Sequence, residues 1–343
     1  MKIAILESGA WGTALGILLS KRNKVGFWYE DRKLALKINR FRRNEKLPEI
    51  KIPPKIFISP DLEKIIQSAG LIIIASPSFN FRRTLLKLKR FDNLPPLLGI
   101  AKGIEKETLK LPSRVVEEVL GKIPYAHLSG PGFAREIIRG KPAKEVIASG
   151  NRPLLKKLKE LFQIHELQRR GEKRAYLLRF KPFQILTTAD LIGVQLAGAA
   201  KNSLAIGISL VEAASLSPEN KKNRPKLIKL GIEEMIKLGK AMGAKEKTFL
   251  GPAGLGDLVL TSSNPLSRNF QFGKNLYLNA EKMRQDIRER KITVEGFDNA
   301  WALHKLGKKY KLDLPMINEI YKLIYKKGSP EKTVKNLIKL TAD

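Results

Sequence analysis

The sequence predicts an α/β protein in two parts: an N-terminal doubly wound parallel sheet and an all-helical second half. Three observations lead there. Through the first half, short β-rich runs alternate with helical stretches, the pattern that builds a largely parallel sheet with helices on both faces. From about Asp190 the strand signals cease and long helical periodicities take over,. At the start of the chain, an apolar run from Ile3 to Leu6 leads into Gly9 and Gly12 and then into a helix-like stretch, Trp11–Lys21.

Taken in order, strands are expected at Lys2–Leu6, Val25–Tyr29, Lys55–Ile58, Leu71–Ala75, Leu97–Ala101, Tyr125–Leu128 and Val146–Ser149. Helices are expected between them at Pro60–Ala69, Phe81–Arg90, Leu111–Leu120 and Arg152–Leu161. The stretch from His165 to Lys181 is strongly basic and poorly periodic, and reads as an inserted loop or hairpin at 165–181. The boundary falls near residues 186–190, giving a sheet domain over 1–188 and a helical domain over 189–343. Within the latter, the helical runs are Leu191–Leu216, Pro225–Met242, Ser267–Leu278, Val294–Leu306, Pro315–Tyr325 and Ser329–Leu340.

Composition narrows the function classes. The 343 residues suffice for two domains and a sizeable core,. Cysteine is absent, which excludes disulfides and thiolate ligands or nucleophiles,. The histidines His127, His165 and His304 show no ligand spacing, so no metal site is expected. Met1-Lys2 runs straight into a strand-like segment, which argues against a secretory signal,. The span Leu191–Leu216 could cross a membrane by length. It contains Lys201, Asn202 and Glu212, however, and reads as a buried core helix,. A soluble, cytoplasmic protein is expected. Lysine and arginine number 65 against 33 aspartates and glutamates, a net charge of +32. That excess would suit a polyanion. The basic residues are nevertheless spread over helix ends and loops without an aromatic-basic stacking motif, so nucleic acid is not the expected partner,.

Five segments carry chemistry. In a G-x-G-x-x-G turn the first glycine permits the tight turn, the second admits the pyrophosphate, and the third lets helix pack on strand. Gly9 and Gly12 fill the second and third roles, with Ala10 and Trp11 between them, as in a Rossmann-like dinucleotide site. Glu7 stands at the first position and brings a Cβ and a negative charge near the pyrophosphate. At the end of the second strand, Glu30 or Asp31 would bind a ribose 2′-hydroxyl, while Arg32 would accommodate a 2′-phosphate, so both NAD and NADP stay open,. The second segment is Ala101–Glu105, where Lys102 at a strand's carboxyl end points toward ligand. The third is Ser129–Glu136, a Gly130-Pro131-Gly132 turn before a helix whose free N–H groups suit an anion,. The fourth is Asp190–Asn202, where Lys201 lies within an apolar helix; burial lowers an ammonium's pKa toward values useful in proton transfer. The fifth is Gly254–Thr261 with Ser267–Asn269. Asp257 and Thr261 share a helix face, and Arg268 with Asn269 could clamp a phosphate,.

In this order the segments resemble NAD(P)-dependent glycerol-3-phosphate dehydrogenases of the bacterial type, from Met1 to about Leu340, most specifically at Asp190–Asn202, Gly254–Asn269 and Val294-Glu295-Gly296. The resemblance implies reduction of dihydroxyacetone phosphate to sn-glycerol 3-phosphate by hydride from NAD(P)H. It implies Lys201 as general acid/base, Lys102 contacting substrate and cofactor, and Asp257 with Thr261 tuning Lys201. Gly130, Gly132, Ser267, Arg268 and Asn269, together with Lys102, Lys201 and Asp257, match substrate-contacting positions. Gly9, Ala10, Trp11, Gly12, Glu30, Lys102, Ala134, Arg268 and Glu295 match cofactor contacts. A cytoplasmic homodimer serving phospholipid synthesis is also implied. The chain departs from the family at Glu7, Ala10, Gly132, Lys144, Glu145 and Phe270-Gln271. The first three motivate an alternative, a cofactor-impaired relative that binds without turnover.

Overall fold

Strand β1 (Lys2–Leu6) alternates between two cores. Ile3 and Ile5 join one apolar cluster, whereas Ala4 and Leu6 join another. The same alternation recurs in β6 (Leu71–Ile74), with Leu71 and Ile73 on one face and Ile72 and Ile74 on the other. Side chains of period two buried on both faces are what a doubly covered parallel sheet requires. Each fully enclosed Ile or Leu contributes roughly 1.5–3 kcal/mol of transfer free energy.

The computed structural model describes residues 1–162, 183–214, 222–289 and 291–341. The basic stretch at 165–181 lies outside the described residues. The chain divides into two compact units, Met1–Ala101 with Ser113–Leu191, and Lys102–Pro112 with Ile192–Asp343. The eleven-residue excursion that carries Lys102 groups with the helical unit.

The first unit continues with α1 (Ala10–Leu19), β2 (Lys24–Trp28), α2 (Arg32–Phe41), a small hairpin of β3 (Arg43–Asn44) and β4 (Leu47–Lys51), β5 (Phe57–Ser59) and α3 (Leu62–Ile66). After β6 come α4 (Phe81–Leu88), β7 (Leu97–Gly99), α5 (Pro112–Leu120), β8 (Tyr125–Ser129), α6 (Ala134–Ile138), β9 (Ala143–Ala148), α7 (Arg152–Phe162) and β10 (Phe183–Thr188). Eight strands form one sheet in the order β10-β9-β8-β7-β6-β1-β2-β5. Every neighbouring pair is parallel except β8 and β9, which run antiparallel. Leu15, Leu19, Ile38, Leu154 and Leu158 cover one face, and Leu62, Ile65, Leu85, Val115 and Val116 cover the other.

Three elements of this unit escape the sequence reading. Helix α2 is rich in Lys and Arg, and only Ala35 and Ile38 are buried. Asp31 is its cap, accepting hydrogen bonds from the Lys33 and Leu34 N–H groups, rather than a free ribose ligand,. The β3–β4 hairpin and β10 were likewise not expected. The polar residues Gln184, Thr187 and Thr188 conceal β10's pairing with β9.

The second unit is helical: α8 (Leu191–Ala214), α9 (Asn223–Ala241), α10 (Glu246–Leu250), a single π-helical turn at Pro252–Gly256, α11 (Asp257–Ser263), α12 (Arg268–Leu278), α13 (Ala280–Arg288), α14 (Glu295–Lys309), α15 (Pro315–Tyr325) and α16 (Pro330–Lys339). Helix α8 is long and apolar enough to cross a membrane, but its apolar window is 89% buried inside the protein. It is the axis of the unit's core, enclosed from Gly193 to Val211.

Candidate active site

Lys201 is delivered by the middle of α8 into this core and is 7% exposed. Its Nζ donates to Asp257 Oδ1 at 3.0 Å and to Thr261 Oγ1 at 2.7 Å, and Thr261 Oγ1 in turn donates to Asp257 Oδ1 at 3.2 Å. The second carboxylate oxygen, Oδ2, receives Lys102 Nζ at 2.7 Å. The π-helical turn brings Asp257 to the first position of α11, where the (i, i+4) spacing aligns it with Thr261,. One buried anion therefore serves two cations. Burial lowers the Lys201 pKa to about 8, and repulsion from Lys102 adds to this while Asp257 opposes it,. Burial alone would raise Asp257, but the two ammonium groups outweigh it and hold the carboxyl below its ordinary value.

A ring of amides surrounds these charges. Asn202, next to Lys201, accepts from Asn269 Nδ2 at 2.8 Å and donates to Glu295 Oε2 at 3.3 Å. Asn269 Oδ1 accepts from the Gly296 N–H at 3.0 Å. Glu295 opens α14, and its pKa is raised by burial against the pull of Arg268, Lys201 and Lys102. Ser267 caps α12 by accepting from the Phe270 N–H. Arg268 occupies the first position of α12 and donates to Thr293 O at 3.1 Å. The second unit thus brings together Lys102, Lys201, Asp257 and Thr261 by direct hydrogen bonds, with Asn269, Arg268 and Glu295 around them. Sequence reasoning missed Asn299, which is wholly buried on α14. The signal available was one amide on an otherwise apolar helix face.

In the first unit, the β1–α1 turn keeps the geometry that a dinucleotide turn needs. Glu7 adopts φ of 59°, the left-handed conformation that glycine usually supplies,. Its N–H donates to Trp28 O, and its carboxylate accepts from the Glu30 N–H at 2.8 Å. The charge thereby turns toward the end of β2. Burial raises the Glu7 pKa, opposed by that hydrogen bond. Glu30 is paired with Arg83 at 2.5 Å and Lys87 at 2.9 Å, which hold it below its ordinary value despite partial burial. Gly9 caps α1 without a side-chain hydrogen bond, ahead of Ala10 and Trp11. At Gly12 a Cβ would stand 2.7 Å from that of Ala75, so only glycine permits this helix–strand approach. Gly130 follows β8, and Ala134 opens α6. A Cβ on Gly132 would lie 2.6 Å from Glu145 Oε1 and 3.3 Å from Trp11 Cζ2, which places this turn beside Trp11.

Residues 2–154 match the family described as NAD-dependent glycerol-3-phosphate dehydrogenase N-terminus, and residues 190–335 match its C-terminus. The glycerol-3-phosphate dehydrogenase (NAD(P)+) of Janthinobacterium sp. (strain Marseille) is 35% identical over 343 residues, covering 98% of this chain and 97% of its own. The chain belongs to the NAD(P)-dependent glycerol-3-phosphate dehydrogenase family. The Wigglesworthia glossinidia brevipalpis relative is also 35% identical, with the same coverage of both chains. The crystal structure of glycerol-3-phosphate dehydrogenase from Coxiella burnetii superposes with a TM-score of 0.87 at 30% identity, covering 98% of each chain.

Several departures from the glycerol-3-phosphate dehydrogenase pattern now have a physical account. Glu7 meets the backbone angle of the missing glycine. Gly132 and Glu145 belong together, because the buried Glu145 carboxylate lies where a side chain at 132 would project. The Phe270-Gln271 replacement places a buried ring in the first turn of α12, while Gln271 bonds the Pro265 carbonyl.

Proposed function

We propose that this chain interconverts dihydroxyacetone phosphate and sn-glycerol 3-phosphate with NAD(P)H, and that Lys201 is its general acid/base. The observation that carries the reading is a buried lysine, tuned to about 8, hydrogen-bonded to a carboxylate and a threonine hydroxyl. A group with such a pKa gives up and regains a proton near neutral pH. In reduction, Lys201 Nζ passes its proton to the carbonyl oxygen; in oxidation, the neutral amine takes it from the hydroxyl. Asp257 holds the ammonium in place, and Thr261 fixes its second hydrogen bond. Lys102 contributes a further positive charge beside the developing alkoxide. Within the helical unit, the N-terminal end of α12 with Ser267, Arg268 and Asn269 offers donors that suit the phosphate, and the family resemblance assigns further substrate contacts to Gly130 and Gly132.

The residues present suit a dinucleotide. The turn has its left-handed residue, Gly12 gives the close approach, and the first turn of α1 has no side-chain cap. Gly9, Ala10, Trp11 and Gly12 would hold the pyrophosphate and Glu30 the ribose; the family resemblance alone assigns further cofactor contacts to Lys102, Ala134, Arg268 and Glu295. When bound, the nicotinamide supplies the hydride. Nothing favours a binding protein without turnover, since the proton-transfer set is complete.

The test is to mix purified protein with dihydroxyacetone phosphate and either NADH or NADPH and follow the nicotinamide absorbance. Folded protein that oxidises neither would overturn the reading, as would a Lys201→Ala variant with near-wild-type turnover. The family resemblance also supports a homodimer located in the cytoplasm, the former checked by light scattering of the purified chain.

A further inference from the structure

We propose that Asn299 is a positioning residue for Lys102. Its side-chain amide ties the loop bearing Lys102 to the turn of α8 that precedes Lys201. The amide is fully buried on the second turn of α14. Its Nδ2 donates to Lys102 O at 2.9 Å and to Ala199 O at 3.1 Å, while its Oδ1 accepts from the Ile104 N–H at 3.0 Å. Three of the four hydrogen bonds an asparagine amide can make are therefore spent on two segments. One carries Lys102; the other ends two residues before Lys201. Asn202 adds a longer contact to the same Lys102 carbonyl, at 3.4 Å.

The arrangement is specific to an amide. Lys102 is held at its own carbonyl and at the N–H two residues on, so its backbone cannot shift without breaking bonds to a buried partner. An aspartate at 299 would face two carbonyl oxygens with a carboxylate oxygen, and an alanine would leave the Ile104 N–H without its acceptor. From this fixed backbone the Lys102 side chain reaches Asp257 at 2.7 Å. The two ammonium groups are thereby set on opposite oxygens of one carboxylate.

The inference rests on the proposed role of Lys102, and a double-mutant cycle separates the two. The variants are Asn299→Ala, Lys102→Ala and the double variant, assayed for kcat/KM with dihydroxyacetone phosphate. Misplacing a catalytic group by about 1 Å can cost 100-fold, so Asn299→Ala should lower kcat/KM by about 10- to 100-fold. In the Lys102→Ala background the same substitution should cost less than about threefold. With Lys102 displaced, Lys201 loses a repulsive neighbour, so the alkaline limb of the Asn299→Ala pH profile should move to higher pH,. A full second penalty in the Lys102→Ala background, or an unmoved limb, overturns the positioning role alone. A Lys102→Ala variant with wild-type kcat/KM overturns both it and the reading on which it rests. Asn299→Ser, which keeps one short hydrogen-bonding group, runs the same cycle if the alanine variant does not fold.

Discussion

Replacing Asp257 with asparagine isolates the electrostatics of the site. The substitution keeps shape and removes the carboxylate charge that the buried Lys201 and the partly buried Lys102 share. At 3.0 Å from Lys201 and an effective dielectric of about 20, the lost attraction is about 5.5 kcal/mol,. At about 1.4 kcal/mol per pKa unit this sets a ceiling of about four units. Water entering the site and relaxation of Lys102 reduce it, so a downward shift of at least about one unit from about 8 is expected for Lys201,. With Lys201 as the proposed general acid, the reduction direction requires its protonated form. The alkaline limb of kcat/KM in Asp257→Asn should therefore lie at least about one pH unit below that of wild type, with partial recovery of rate at lower pH. Stability should move with it. Breaking a buried ion pair costs about 3–5 kcal/mol, and because a lysine with a lowered folded pKa binds fewer protons than in the unfolded chain, the loss shrinks as pH rises. Steady-state pH profiles and denaturant melts at neutral and alkaline pH supply both readouts. A limb that stays in place or moves upward would refute the electrostatic account. A rate loss equal at every pH would make Asp257 a purely orienting group.

Three further outcomes follow from particular contacts. Sequence alone argues that Glu7→Gly should tighten cofactor binding, but the carboxylate is already engaged by the Glu30 N–H, so the NADH Kd by fluorescence titration should change less than about threefold,; a tenfold tightening would show that the charge does reach the pyrophosphate. Gly132→Ser should lower stability by about 1–3 kcal/mol through contact with Glu145, and Glu145→Val should restore most of it,; thermal melts in which the two costs simply add would dissolve the pairing. Glu234 accepts the Met316 and Ile317 N–H groups at the start of α15, and burial pushes its pKa up to about 7. The native state therefore holds a proton that the unfolded chain releases near pH 4.5, and stability of about 3 kcal/mol present at low pH is lost as pH rises to about 7,. Chemical denaturation of Glu234→Gln should show a correspondingly flatter dependence, and an identical slope would count against it.

How much could be read from the chain depended on whether the signal was local. Strands β1 and β6 and helix α8 stand out because their apolar residues are continuous or periodic over their whole length. Lys201 stands out for the opposite reason, as one charge in an apolar helix. Helix α2 is almost entirely polar, and its start was signalled by Asp31, a residue type that equally well reads a ribose. The antiparallel placement of β9 against β8, and the burial of Glu145 within it, depend on neighbours remote in sequence. Only its amide among apolar neighbours set Asn299 apart, and that signal says nothing of its partners. Its importance lies in backbone groups nearly two hundred residues earlier, at Lys102 and Ile104, that need partners.

The shared carboxylate has a consequence for how the protein meets its ligand. Lys102, Lys201 and Asp257 together carry one net positive charge when both lysines are protonated, and none once Lys201 is neutral. Near pH 8 the resting protein is therefore a mixture of the two forms. A phosphate monoester brings about two negative charges at that pH, and any such anion near the cluster favours the ammonium over the amine. Binding then draws protons out of solution, and the measured heat depends on the ionisation enthalpy of the buffer. On the role proposed for Lys201, the substrate in reduction itself recruits the proton that the ammonium donates.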